Sequence, residues 1–263
     1  MIDGGCMGLL TFGLSEQCKN KNHPNQDRYG SIQVKSRSGN DILVSAVSDG
    51  ITMSYKGEIA AYNTIRFILN WAAEYFPQNE FLPTEIAESL DELIIKINQK
   101  LNHYSGTSNK KSTKHGYSPY TSCTLCCLIT DGDRVLYFGV GDSRIYELKT
   151  YSTTSVISGG IHTSSDGRLT SYIGGIEDVK LDIRYVEGRF EDSAVYLLCT
   201  DGLSNRIVWN MDADEEFRKF NQRLLTVRSR NNGIEVLQGM VEYVTSKGET
   251  DDITALAIKR VSV

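Results

Sequence analysis

The chain has 263 residues, 40% of them hydrophobic and 23% charged, an ordinary globular composition that excludes a disordered tail protein. Lys and Arg number 28 against 33 Asp and Glu, a net charge of −5, which leaves no basic excess for nucleic-acid phosphates. No run approaches the roughly 18 apolar residues of a membrane span, and Met1 to Leu14 lacks the features of a secretory signal, so a soluble, cytoplasmic protein without membrane partners is expected.

Leu9–Leu14 and Tyr29–Val34 read as strands on either side of a polar loop. Asp41–Ser48 is a short apolar run stopped by Asp49-Gly50, a turn signal. A helix is predicted from Gly57 to Tyr75, with Ile59, Tyr62, Ile65, Phe67 and Leu69 on a broad apolar face. In the next helix Ile86, Leu90, Leu93, Ile94, Ile97 and Leu101 form one stripe at the 3.6-residue period. Pro83 and Glu85 stand at its start, where a missing N–H costs little and negative charge is favoured.

A polar loop from Tyr104 to Tyr120 carries Lys110, Lys111 and Lys114. Thr121–Thr130 and Arg134–Gly139 read as strands joined by Asp131-Gly132-Asp133, a hairpin connection. Ser143–Lys149, Val179–Val186 and Ala194–Cys199 add strands. Helices are predicted from about Asp212 to Leu225 and again from near Asn232, the second with Ile234, Leu237, Met240, Val241 and Val244 as its stripe. Ile253–Val261 is a terminal strand. With no repeat, low-complexity tract or long linker, residues 1–263 read as one mixed α/β domain.

Cys123, Cys126 and Cys127 form a CxxCC run inside an apolar segment. No second Cys or His pair stands at ligand spacing, so small buried thiols are the better reading than zinc.

Aspartates fall where strands end. Apolar runs close on Asp49-Gly50, on Gly141-Asp142 and on Asp201-Gly202, Asp251-Asp252 precedes the last strand, and Asp27 lies in the loop between the first two. A single Asp-Gly after a strand is usually a turn, because both residues tolerate left-handed geometry. A set of them on one sheet rim would repel unless cations held them, and Mg²⁺ and Mn²⁺ prefer such oxygen ligands. The chemistry that pattern points to is activation of water by one or two oxygen-ligated metals.

With these residues in place the chain resembles the PPM (protein phosphatase 2C) family of metal-dependent phosphatases in its compact bacterial form, from about Leu10 to Ile258. The family motifs are matched in order by Asn25-Gln26-Asp27, Val47-Ser48-Asp49-Gly50 with Gly57-Glu58-Ile59-Ala60-Ala61, Ser122-Cys123-Thr124, Gly139-Val140-Gly141-Asp142-Ser143-Arg144-Ile145-Tyr146, Cys199-Thr200-Asp201-Gly202-Leu203 and Asp251-Asp252-Ile253-Thr254. The resemblance implies an α+β fold, a four-layer α-β-β-α sandwich of two antiparallel β-sheets flanked by helix pairs. It implies two divalent cations, Mn²⁺ or Mg²⁺, with Asp49 bridging them, the Gly50 carbonyl on one, Asp201 and Asp251 on the other, and Asp27 holding metal-bound waters. A water between the ions would attack phosphorus in line, with no phosphoenzyme. The expected substrate is a protein carrying phosphoserine or phosphothreonine, and the partner an opposing Ser/Thr kinase.

The pattern departs from the family in places. Gln26 stands where many members have Glu, and Asn22 where the phosphate-binding arginine usually lies. Lys19, Lys21 or Arg28 could replace that arginine, although a solvated loop charge is the plainer reading of each. His23 is the candidate acid for the leaving oxygen. Asp142, beside Ser143 and Arg144, reads as a brace for its strand junction and is left out of the metal set. The alternative to an enzyme is a catalytically weak or silent phosphatase-like module that binds or senses; a hydrolase of a small phosphorylated metabolite would share the same site.

Overall fold

The computed structural model describes residues 8–18, 24–51, 54, 56–106, 120–150, 152–157, 169–174, 183–206 and 214–261. In chain order these form β1 (Leu9–Glu16), β2 (Arg28–Lys35), β3 (Asp41–Ser48), α1 (Gly57–Tyr75) and α2 (Pro83–Gly106). Next come β4 (Leu125–Thr130), β5 (Arg134–Val140), β6 (Arg144–Leu148), β7 (Thr153–Ile157), β8 (Arg184–Arg189) and β9 (Val195–Cys199). The one-turn α3 (Asp201–Ser204), then α4 (Glu215–Thr226), α5 (Arg230–Ser246) and β10 (Ile253–Arg260) complete the order. The strands make two five-stranded sheets, β1-β10-β9-β6-β7 and β2-β3-β4-β5-β8, antiparallel throughout.

Side-chain alternation stacks the layers, because successive residues of a strand face opposite sides. Ile42, Val44 and Ala46 of β3 pack under α1 and α2 with Leu125, Cys127 and Ile129 of β4. Leu43 and Val47, with Cys126 and Leu128, meet Tyr196, Leu198, Leu256 and Ile258 of the other sheet. The remaining face of that second sheet, through Leu197, Cys199, Ala255 and Ala257, packs on Phe217, Leu224, Leu237 and Met240 of α4 and α5. The result is the expected α-β-β-α sandwich, with three apolar layers between four layers of structure.

Local sequence explains most boundaries. Helix α2 opens on Pro83 and buries Ile86, Leu90, Ile94, Ile97 and Leu101, each such side chain stabilising the fold by about 1.5–3 kcal/mol. Helix α4 starts at Glu215 rather than near Asp212 because the Asp214 carboxylate caps it, accepting from the Phe217 N–H at 3.0 Å. Helix α5 starts two residues before Asn232, capped by Ser229. In α1 the buried stripe is Ala60, Ala61, Ile65, Ile68 and Ala72, whereas Tyr62, expected on the apolar face, is 53% exposed. Small residues on that stripe let the helix lie close to β2, where Gly30 takes Ile65 and Leu69 against its backbone.

Other expectations shift. The ladder of β4 begins at Leu125, and upstream Cys123 makes isolated bridges to Gly50 and Ile173. Strand β8 runs from Arg184 to Arg189, an exposed edge, and residues 179–182 of the expected Val179–Val186 strand lie outside the described residues. Strand β7 and helix α3 were not foreseen. The lysine-bearing loop, residues 107–119, also lies outside the described residues. Cys18, Cys123, Cys126, Cys127 and Cys199 are free, and all but Cys18 are buried. Burial holds the Cys126 and Cys127 thiols well above their ordinary range. No helix among the described residues is long and apolar enough to cross a membrane.

Candidate metal centre

The antiparallel register brings the end of β3, the start of β2, the end of β9 and the start of β10 to one rim: Arg28 pairs with Ser48, and Ala255 with Cys199. The loops beyond these ends carry Asp27, Asp49, Gly50, Asp201 and Asp251. His23 lies outside the described residues, as do Lys19, Lys21 and Asn22.

Each acidic residue is set by backbone and hydroxyl contacts. Asp27 is buried, its N–H on Asn25 Oδ1 at 2.9 Å, and its Oδ2 accepts from Thr200 Oγ1 at 2.9 Å. Thr200 Oγ1 in turn accepts the Thr254 N–H at 3.0 Å, so one hydroxyl ties the Asp27 loop and the end of β9 to the start of β10. The Asp49 N–H donates to Thr124 Oγ1 at 3.1 Å, the Thr124 N–H donates back to Asp49 O at 2.8 Å, and Thr124 Oγ1 meets Ser143 Oγ at 2.7 Å. The Ser-Cys-Thr and Gly-Asp-Ser motifs thus act on the Asp49 turn together. Gly141, at φ +95°, lets them meet, because a side chain there would strike Thr124.

Close backbone approach requires glycine at two further points. A Cβ on Gly50 would lie 2.3 Å from the Gly57 carbonyl carbon, so the turn after β3 rests directly on the start of α1. A Cβ on Gly202 would lie 2.1 Å from Asp252 O, so the Asp201 turn rests on the loop that carries Asp251 and Asp252. Asp252 is a brace: its two oxygens accept the Cys18 and Gln26 N–H groups, both at 2.9 Å. Arg28, expected as a solvated charge, is half-buried and donates to the Asn25 and Asp27 carbonyls at 2.8 and 2.5 Å, closing the loop.

The carboxylates stand in each other's fields. Burial, with the Asp252 charge adding, pushes Asp27 up to about 7, and burial with the charges of Asp142 and Asp251 pushes Asp201 up to about 7. Asp49 is raised well above the usual carboxylate range by burial and by the charges of Asp27, Asp201, Asp142 and Asp251. Asp27 and Asp201 are the nearest of these in effect, each acting on the Asp49 carboxyl group through its charge. Asp142, left out of the metal set on sequence, therefore acts on that set through charge. The signal was its Gly-Asp position at a strand end, the same as that of Asp49.

Among the described residues no three His, Cys, Asp or Glu side chains are gathered as a closed ligand cluster. Like charges do not close on one another without a counter-charge. The donors nonetheless suit one: Asp27 Oδ1, Asp201 Oδ1 and Gln26 Oε1 are buried acceptors with no hydrogen-bond donor. An all-oxygen, multiply acidic set of this kind fits Mg²⁺ or Mn²⁺.

The fold has known counterparts. A serine/threonine phosphatase from S. agalactiae superposes with a TM-score of 0.70 at 16% identity, over 96% of this chain and 100% of that one. Stp1, a serine/threonine phosphatase from Staphylococcus aureus, gives 0.65 at 20% identity, over 100% and 98%. The catalytic domain of the serine/threonine phosphatase PstP, solved with two manganese ions, gives 0.66 at 17% identity, over 97% and 99%. No curated protein sequence matches the chain. The sequence itself matches the protein phosphatase 2C family over residues 16–241, a span that takes in every acidic turn of the rim except the one at Asp251. On that match, and on the sandwich that carries it, the chain belongs to the protein phosphatase 2C family.

Proposed function

We propose that the chain hydrolyses phosphoserine and phosphothreonine in proteins, opposing a Ser/Thr kinase, with two divalent cations, Mn²⁺ or Mg²⁺, held by Asp49, the Gly50 carbonyl, Asp201 and Asp251. When bound, such cations supply an acidified water as nucleophile and neutralise charge on the phosphoryl group. The observation that carries this reading is the set of buried oxygens on Asp27 and Asp201 that no donor satisfies, in a group of carboxylates that raise one another. Left uncompensated, each would cost the fold rather than support it.

The protein's own part is positioning. Thr200 fixes one oxygen of Asp27 and leaves Oδ1 to orient water or hold a proton. Thr124 fixes the backbone of Asp49, and the contact of Gly50 with Gly57 sets where its carbonyl lies. Preorganisation of this kind is what phosphoryl transfer asks of a protein, since the reaction needs little covalent help. His23 is assigned as the acid that protonates the leaving oxygen.

The test is phosphate release from a phosphothreonine peptide with Mn²⁺, with EDTA, and with D201N. Release that requires Mn²⁺ and is lost in the variant supports the enzyme. No release at any metal concentration, from folded protein, would replace it with a silent phosphatase-like binding module.

A further inference from the structure

The acidic residues at the rim sit on separate turns, and something must fix the distance between turns whose carboxylates repel. Asp201 opens α3, after β9, whereas Asp251 lies in the loop before β10. Glu249 reaches both. Its Oε1 accepts the Thr250 N–H at 2.7 Å and the Asp251 N–H at 2.8 Å, shaping the loop around Asp251. Its Oε2 accepts from Arg206 Nε at 3.0 Å, and Arg206 lies just beyond α3. Arg206 Nη2 also donates to the Gly248 carbonyl at 3.2 Å, so the guanidinium grips the loop at two points. The Glu249 side chain is only 8% exposed, so its charge is spent on these contacts rather than on water.

We propose that Arg206 and Glu249 are positioning residues for the metal centre: the pair locks the turn carrying Asp201 to the loop carrying Asp251 and so sets the spacing of the two carboxylates. The proposal rests on the reading of that rim as a cation site. Further contacts give α3 and the loop supports of their own, so the clamp acts on spacing rather than on the existence of α3. Helix α3 is held from its other side by Arg144, whose Nη1 donates to Ser204 O at 3.4 Å and whose Nη2 donates to Asn205 Oδ1 at 3.0 Å. Asn205 Nδ2 then donates to Asp201 Oδ2 at 3.1 Å, so the Asp201 turn keeps its own support when Arg206 is changed. On the loop side, Asp252 N–H bonds Asp251 Oδ1 at 2.9 Å and Asp252 bonds Gln26, which carries any shift of the loop to Asp27.

Residues that orient metal ligands typically change metal affinity by about 10–100-fold when removed. The test is calorimetric titration of Mn²⁺ into the full chain and into R206M, R206K, E249Q and D201N, with the unfolding midpoint of each metal-free protein recorded alongside. R206M is expected to weaken Mn²⁺ binding about 10-fold while its metal-free midpoint falls by only about 3–6 °C, because Glu249, 8% exposed, loses its cation but keeps its two N–H donors. R206K keeps a donor toward Glu249 and recovers most of the affinity. E249Q still accepts the two N–H groups but turns an amide donor toward Arg206, and falls with R206M. Native affinity in both R206M and E249Q would overturn the clamp, as would losses that track the midpoint in every variant, R206K included. A native chain that binds no Mn²⁺ would remove the cation site itself and the clamp with it. Native binding that D201N abolishes and R206M leaves intact would remove the clamp alone.

Discussion

At the end of the sandwich formed by the β4–β5 turn and the close of β10, Asp131 bonds Arg134 at 2.6 Å and Asp192 bonds Arg260 at 2.5 Å. These arginines line a surface cavity of about 580 Å³ with Arg189, Asp133, Glu191 and Asp192, three cations beside three acids. At the opposite end, Asp27, Asp49, Asp201 and Asp251 share one rim within reach of one another's charge, and the other charges that bear on them are further acids, Asp142, Asp252 and Glu249. The first end sets arginines against its acids, pairing Asp131 and Asp192 within the chain. The second buries Asp27 and leaves oxygens of Asp27 and Asp201 without a donor. A fold keeps such a charge deficit when something outside the chain completes it, and a hard cation is the chemistry those oxygens suit.

Substitutions should separate the two ends. D49N removes the carboxylate that faces both Asp27 and Asp201; with several kcal/mol of transition-state stabilisation at stake, phosphopeptide turnover should fall at least about 10³-fold. Retained turnover would deny Asp49 its central place. G202A drives a methyl into Asp252 O, and should cost about 1–3 kcal/mol by denaturant unfolding while weakening Mn²⁺ binding; a variant as stable and as metal-competent as the native chain would show that the two turns do not need their close approach.

H23A tests the leaving-group acid: about 10²-fold lower turnover on a phosphothreonine peptide, with little change on an aryl phosphate whose leaving group needs no proton. Equal losses on both substrates would assign His23 to binding. D192N, at the paired end, should change stability by under about 1 kcal/mol, since Asp192 is 70% exposed, and should leave activity and metal affinity alone. A large activity loss there would erase the contrast between the ends.

Much of the frame was legible because hydrophobic period and turn chemistry agree. Asp41–Ser48 is a strand to the residue, an apolar run between Asn40 and Asp49-Gly50. Gly57–Tyr75 is a helix to the residue, and the stripe from Ile86 to Leu101 is the buried face of α2. Strand β7, Thr-Thr-Ser-Val-Ile, escaped notice because a short, polar edge strand has no strong alternation. Helix α3 is a single turn and leaves no period to find. At the rim, aspartates at strand ends marked the region. Asp142 was marked in the same way, but its charge on Asp49 and Asp201, like the bracing by Asp252, depends on which loops the register brings together. Glu249 and Arg206 lie 43 positions apart and meet only through that register.

The most direct measurement is the number of Mn²⁺ ions bound per chain at neutral pH, by equilibrium dialysis of the metal-free protein and of D49N. The account predicts two per native chain and a loss of both in D49N, since that carboxylate is the one shared by the two positions. A folded native chain that binds none, or a D49N protein that still binds two, would contradict it.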